Sequence, residues 1–310
     1  MKRIIVTGGS GQLGRTIDEL LTSNYETIND KICIDFPDHA SFDITKYEDM
    51  EKYICDKDVV CIINCAAYTD VAKAETDKTA YKVNILGAGN LVKLCKVHNI
   101  FLVQISTDYV FNGSQSVKYE NNTSECIPTT LYGMSKMTAE MHITTGLKAY
   151  SIIRTSWLYS LYGNNFVKTI IDKLETDSTE PIKVVYDQVG SPTYALDLAS
   201  FIIKNYILPY TNDKQCKTGI FHYSDLGTIS WYDFAVAIKN LLEECLHIQY
   251  ARKIVPIVYE DFKSSCRRPQ ISILSKEKTI NEFDADIPHW RESLKRFIST
   301  YVEYNAVNKS

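Results

Sequence analysis

The sequence contains no apolar stretch long enough to span a bilayer and no secretory leader pattern. It contains no C-x-x-C pair either, although it holds 9 cysteines. Paired zinc-type spacing is therefore missing, and an odd number of thiols does not make a disulfide framework. The thiols, including the close trio Cys55, Cys61 and Cys65, read as small buried hydrophobes in a reduced, cytoplasmic protein. An excess of positive charge is also absent. The 34 Lys and Arg against 38 Asp and Glu give −4 at pH 7, so no nucleic-acid partner is expected. Neither a membrane partner, an internal repeat, a low-complexity tract nor a linker is indicated. With 21 tyrosines, no single one is catalytic by identity alone.

What is present is an alternation of strand and helix patterns. Lys2 to Thr7 is a short β-branched run of the kind found in a buried parallel strand. It leads into Gly8-Gly9-Ser10-Gly11-Gln12-Leu13-Gly14, then into helix-compatible Arg15 to Leu21. A glycine-rich turn between strand and helix is a diphosphate cradle. Its glycines admit a close ligand, and the helix N-terminus offers unpaired N–H groups. The spacing here is G-x-x-G-x-x-G. Lys31 to Phe36 reads as a second strand ending at Asp35, 21 residues after Gly14, about where a carboxylate takes the adenosine ribose.

Asp43-Ile44 precedes Thr45-Lys46-Tyr47-Glu48, a T-x-x-E pattern that predicts a capping box and a helix to about Lys57. Val59 to Asn64 is a third strand, followed by small residues at Cys65-Ala66-Ala67-Tyr68 that leave room for a ligand. A helix is expected from about Asp77 to His98, with Asn84, Gly87 and Ala88 suiting close packing. Ile100 to Ser106 is a fourth strand, and Tyr150 to Thr155 another. Between them lies a long polar loop to Thr129, then a helix from Tyr132 to about Thr145. Further on, helices are expected over 165–174, 196–206, 230–245 and 289–304, with strands over 182–185 and 219–224. Ser230 to Asp233 forms a second capping box. The β/α alternation fades after about residue 156.

The fold class expected is α/β: a Rossmann-type doubly wound parallel sheet with a smaller C-terminal substrate-binding α/β lobe. The division is 1–156 for a dinucleotide-binding domain and 157–310 for the lobe, with segments near 194–224 returning to the first domain.

Tyr132 and Lys136 are four apart and project from one helix face. Reduction of a ketone needs hydride on carbon and a proton on oxygen. A phenol can supply the proton, and a nearby ammonium favours its phenolate. Thr107, at the end of the fourth strand, can bond the same substrate oxygen. Trp157 can offer an apolar face to a sugar or simply fill core. Arg267 and Arg268 can neutralise a diphosphate or form an exposed basic turn.

Taken together, the glycine turn, Ser106-Thr107-Asp108-Tyr109-Val110-Phe111 and Tyr132-Gly133-Met134-Ser135-Lys136 resemble the extended short-chain dehydrogenase/reductase family. Several later blocks are similar to the dTDP-4-dehydrorhamnose reductase branch: Ile153 to Tyr159, Asn165 to Thr169, Asp187 to Thr193, Ser230-Trp231-Tyr232 and Arg267-Arg268-Pro269. The resemblance implies reduction of a 4-keto-6-deoxy dTDP-sugar by NADPH or NADH. It implies Tyr132 as proton donor, with Lys136 and Thr107 assisting. Gly8 and Gly14 belong to the same cofactor-binding turn; the resemblance puts Gly11, Gln12 and Leu13 at the cofactor diphosphate, Asp43 and Ile44 at the adenine, and Ala66, Ala67 and Tyr68 along the cofactor. Asp108, Trp157, Arg267 and Arg268 fall on the substrate side.

Asp35 would favour NADH by repelling a 2′-phosphate, whereas Arg15 would favour NADPH. Thr16 stands where some family members carry an acidic residue for Mg2+ at a subunit contact, so no metal ligand is assigned; a homodimer is left open. Two alternative readings are an NDP-sugar epimerase or dehydratase, which recycles its nicotinamide, and a non-catalytic dinucleotide-binding subunit.

Overall fold

The computed structural model describes residues 1–24, 32–114, 120, 126–212, 214–262, 266 and 268–308. Lys31, much of the polar loop before Thr129, and Arg267 lie outside them. Strands β1 (Arg3–Thr7), β2 (Cys33–Asp35), β3 (Val59–Asn64), β4 (Phe101–Thr107), β5 (Tyr150–Thr155) and β6 (Gly219–His222) form one parallel sheet. Their spatial order is β6-β5-β4-β3-β1-β2. The chain leaves β1 toward β2 and returns to pair β3 on the other side. That reversal opens a crevice above the C-terminal ends of β1 and β3, where open α/β sheets bind ligands.

The strands are apolar on both sides because both sides are covered. On one face, Leu13, Ile17 and Leu21 of helix α1 (Gln12–Asn24) pack with residues 198–203 over Ile4, Val6, Ile63 and Val103. On the other, Met50 and Ile54 of α2 (Tyr47–Ile54) join Leu91 and Leu94 of α3 (Gly87–His98). They meet Ile143 of α4 (Leu131–Gly146) over Ile5, Ile62 and Leu102. A second core lies between α5 (Phe166–Glu175), α6 (Trp231–Leu246) and α7 (Trp290–Asn308), centred on Tyr159, Ile170, Phe234 and Phe297. Small sheets border it; Ile254–Ile257 pairs in parallel with Ile182–Val185.

Two local expectations are corrected. The T-x-x-E pattern does not cap α2: the N-cap is Lys46, with no side-chain cap bond. The Thr45 hydroxyl instead donates to Asp43 Oδ1 at 2.8 Å, a bond within the turn that competes with capping. The expected helix over 77–98 is interrupted by a π-helical segment, Lys82–Leu86, which carries Asn84. By contrast Ser230 and Asp233 form the expected reciprocal box at the start of α6.

Candidate active site

The site begins at the glycine turn. Gly8 has φ +67, and a Cβ there would lie 2.7 Å from the Ala66 nitrogen. Gly14 has still less room: a Cβ would sit 2.3 Å from the Gly8 carbonyl oxygen. The turn is therefore folded as tightly as backbone contact allows, with Gly11 N–H donating to Gly8 O at 2.9 Å. A buried polar chain ties the strand ends beneath it. Thr7 donates to Asn64 Oδ1 (2.6 Å), and Asn64 Nδ2 donates to Gln104 Oε1 (2.8 Å).

Across the crevice, α4 is held at a fixed height. Thr130 caps it by accepting from Gly133 N at 3.0 Å. Gly133 itself is required, because a Cβ would lie 2.2 Å from the Tyr109 carbonyl oxygen. Asn84 clamps the loop after β3 to the same helix. It accepts from Tyr68 N (2.9 Å) and donates to Ser135 Oγ (2.9 Å), while Ser135 donates to Tyr132 O (2.7 Å). The π-helical turn aims Asn84 there, which sequence periodicity does not reveal.

Thr107, Tyr132 and Lys136 line one cleft of about 790 Å³ together with Gly11, Gln12, Leu13 and Gly14. Burial pushes the Tyr132 phenol well above the ordinary tyrosine range, and the Thr107 hydroxyl pulls it back. Lys136 Nζ donates to Ile105 O at 2.7 Å. Burial lowers its ammonium to about 8, against the pull of Glu140 and Cys65. The bond to the Ile105 carbonyl fixes Lys136 against the backbone of β4. Thr107 donates to Asp108 Oδ1 (2.9 Å), and Ser272 donates to Asp108 Oδ2. Burial raises the Asp108 carboxyl to about 6 despite these two bonds.

The family model described as the RmlD substrate binding domain matches residues 1–303. A dTDP-4-dehydrorhamnose reductase of Aggregatibacter actinomycetemcomitans is 35% identical over 98% of this chain and 100% of its own. The structure of a dTDP-4-dehydrorhamnose reductase from Clostridium acetobutylicum, 35% identical, superposes with TM-score 0.84 over 96% of this chain and 99% of that one. One from Bacillus anthracis, solved in complex with NADP, is 36% identical with TM-score 0.83, covering 98% and 100%. The chain belongs to the dTDP-4-dehydrorhamnose reductase family.

Other residues singled out by this family's pattern are spread more widely. Ala67, Asp108, Trp157 and Arg268 line the cleft, whereas Gly8, Ala66 and Tyr68 do not. Asp43 and Ile44 do not line it. Asp43 is buried, and bonds from Thr45 hold its carboxyl low against that burial. The Ile44 carbonyl accepts from Asn90 at 3.0 Å. Asp35 faces away from the cleft, toward α2. Arg3 pairs with it, Tyr53 donates to it at 3.0 Å, and Lys57 lies 3.7 Å away. The Arg15 guanidinium rests over the Tyr162 ring at 4.2 Å. Thr16 donates to the Gln12 carbonyl at 2.7 Å.

Three features escaped sequence reasoning: the partner of Trp157, the role of Glu140, and the reach of Gln12 across the cleft. Trp231 stacks on Trp157, with ring centroids 3.5 Å apart and planes within 11°. Trp157 adopts φ +48. Glu140, one helical turn beyond Lys136, accepts from Ser106 Oγ at 2.5 Å and pairs with Arg154. Gln12 reaches into the second lobe, accepting from Ser160 Oγ (3.1 Å) and Asn165 Nδ2 (3.2 Å). The Asn165 to Thr169 block carried the only sequence signal for that last contact.

Proposed function

We propose that this chain reduces the C4 ketone of dTDP-4-dehydro-6-deoxy-L-mannose, with NADPH or NADH, to dTDP-L-rhamnose. The observation that carries the reading is the convergence of Thr107, Tyr132 and Lys136 on the cleft that the glycine turn also lines. The turn fits a dinucleotide diphosphate: two of its glycines sit where any Cβ would strike backbone, and α1 starts at Gln12, with Gly11 to Gly14 lining the cleft. When bound, the reduced nicotinamide supplies the hydride.

The chain's own residues supply the rest. Tyr132 Oη hands its proton to the ketone oxygen as that oxygen gains charge. A phenol raised by burial remains protonated at neutral pH, the state a reductive donor requires. The Thr107 proton rests on Asp108 in this structure, and the ketone oxygen competes for it. Lys136 carries positive charge below about pH 8 and offsets the phenolate left after transfer. Asp35, already neutralised by Arg3 and Lys57, presents little repulsion to a 2′-phosphate, which supports acceptance of NADPH as well as NADH.

In this reading, residues 1–156 with the returning segments near 194–224 hold the cofactor, and the remainder holds the sugar nucleotide. The test is loss of reduced-nicotinamide absorbance on adding the 4-keto sugar nucleotide, with each cofactor separately. Stoichiometric oxidation is expected; turnover of the sugar without net oxidation would reject the reading in favour of an epimerase or dehydratase.

A further inference from the structure

Asp108 lines the cleft, but one of its two side-chain partners does not. Ser272, 164 residues further along the chain, donates from Oγ to Asp108 Oδ2. Both side chains are sealed from solvent. Ser272 ends a short strand, Ile271–Ser272, that pairs in parallel with Val189–Gly190. That strand lies directly on the turn after β4. Ile271 N donates to Gly113 O at 3.2 Å, and Val189 N donates to Gln270 O at 2.8 Å. Gly113, at φ +74, has no room for a side chain: a Cβ there would lie 2.5 Å from Pro269 Cα. Backbone contacts therefore fix Ser272 against the turn that carries Asp108.

The pairing of Thr107 with Asp108 is not one that chain neighbours make unaided. Thr107 ends β4, and consecutive side chains on a strand point to opposite faces. The turn Asp108–Val110 brings the carboxylate back beside the hydroxyl, yet a carboxylate still rotates about its own bond. Ser272 takes one oxygen and leaves the other to Thr107, which donates to it at 2.9 Å. A hydroxyl has one proton and two lone pairs. The Thr107 proton lies on Asp108, and one lone pair accepts from Tyr109 N at 3.2 Å. What remains is left for the Tyr132 phenol, which the Thr107 hydroxyl also meets. If Asp108 turns, the proton of Thr107 has no fixed acceptor and the hydroxyl no fixed direction.

We propose that Ser272 is a positioning residue for the reduction: it anchors the Asp108 carboxylate and so sets the direction of the Thr107 hydroxyl beside Tyr132. The inference rests on the reductase reading above and deepens it, extending the reacting group to a residue outside the cleft. Ser272 touches neither substrate nor cofactor in this arrangement; its whole effect passes through Asp108. A hydroxyl aimed before the ketone arrives spends nothing on reorientation as charge develops on the ketone oxygen.

The experiment follows single-turnover oxidation of NADPH by the 4-keto sugar nucleotide in the full-length protein, in Ser272→Ala and in Ser272→Thr. It then repeats Ser272→Ala in an Asp108→Ala background. Cooperative thermal unfolding of each variant verifies its fold. Ser272→Ala is expected to slow the step about tenfold, the scale of one hydrogen bond to a charged group. NADPH affinity is expected to stay within about a factor of three. Ser272→Thr keeps the hydroxyl and is expected to recover most of the rate. In the Asp108→Ala background, Ser272→Ala is expected to change the rate by less than about twofold, because its route to the reaction is gone. A Ser272→Ala rate equal to the parent's overturns the positioning role and leaves the reductase reading standing. An equal loss in both backgrounds overturns it too, because Ser272 would then not act through Asp108. Failure of the unaltered protein to consume reduced nicotinamide removes the reductase reading itself, and the positioning role with it.

Discussion

Glu140 and Arg154 form an ion pair sealed from solvent directly beneath the Lys136 turn: Arg154 Nη2 lies 2.7 Å from Glu140 Oε2, and Nε donates to Oε1 at 3.0 Å. The carboxylate also accepts from Ser106, whose chain neighbours are Ile105, which holds Lys136, and Thr107. The pair therefore fixes the end of β4 against α4. Glu140→Gln leaves a buried guanidinium without its counter-charge. The expected cost is about 3–5 kcal/mol of stability, read from urea midpoints. A variant as stable as the parent would show that the pair is dispensable to the fold.

Removing the phenol oxygen tests the proton donor. Tyr132→Phe keeps the ring and its edge-on contact with Tyr109, whose centroid is 5.6 Å away. Turnover is expected to fall by about 10²–10⁴, the usual contribution of a positioned acid. Cofactor affinity, measured by fluorescence titration, is expected to stay within about a factor of three, less than half a decade in binding. Retained turnover would remove Tyr132 from the reaction.

Gly14→Ala places a methyl 2.3 Å from the Gly8 carbonyl oxygen, and backbone at that point has nowhere to go. The turn must open, so NADPH affinity is expected to fall by about tenfold or more, with the sugar-nucleotide end of the cleft less affected. Unaltered NADPH binding would separate the turn from the cofactor.

Gly190→Ala probes the indole stack. A Cβ at 190 would lie 2.8 Å from Trp157 Cε2, pushing the ring off Trp231. The expected results are a changed tryptophan emission and a raised KM for the sugar nucleotide, with NADPH affinity unchanged. Emission and KM that both match the parent would mean that the stack tolerates the methyl.

Asp108 supplies a pH-dependent prediction. Its folded-state carboxyl is raised from 3.8 to about 6 by burial. Between those values the folded chain holds a proton that the unfolded chain has released. Stability from the neutral carboxyl is therefore complete below about pH 4 and is lost as pH rises through about 6. Relative to the parent, Asp108→Asn is expected to gain stability from pH 4 to pH 6 and to hold that difference above. Denaturant midpoints across that range check it; a pH-independent difference would show that Asp108 ionises normally.

Much of this architecture could be read without coordinates wherever one local rule governed. β1, the glycine turn and α1 follow from a β-branched run meeting closely spaced glycines, and α6 from Ser230 and Asp233. The rule failed where two local bonds compete, as at Thr45, whose hydroxyl is taken by Asp43. It also failed where backbone hydrogen bonding shifts register, as in the π-helical turn around Asn84. Asp35 stands at the right distance along the chain, but strand alternation points its carboxylate at α2 and into Arg3, Lys57 and Tyr53. Trp231 and Glu140 act through residues far away in sequence, and no spacing pattern marks such partners.

Gln12 occupies the hinge point of all this: its backbone opens α1, while its side chain bonds to Ser160 and to the residue that caps α5. A molecule that claims that amide from the glycine side takes a partner from the far lobe at the same moment. Filling one half of the cleft therefore alters the contacts of the other, and by linkage the effect runs equally in both directions.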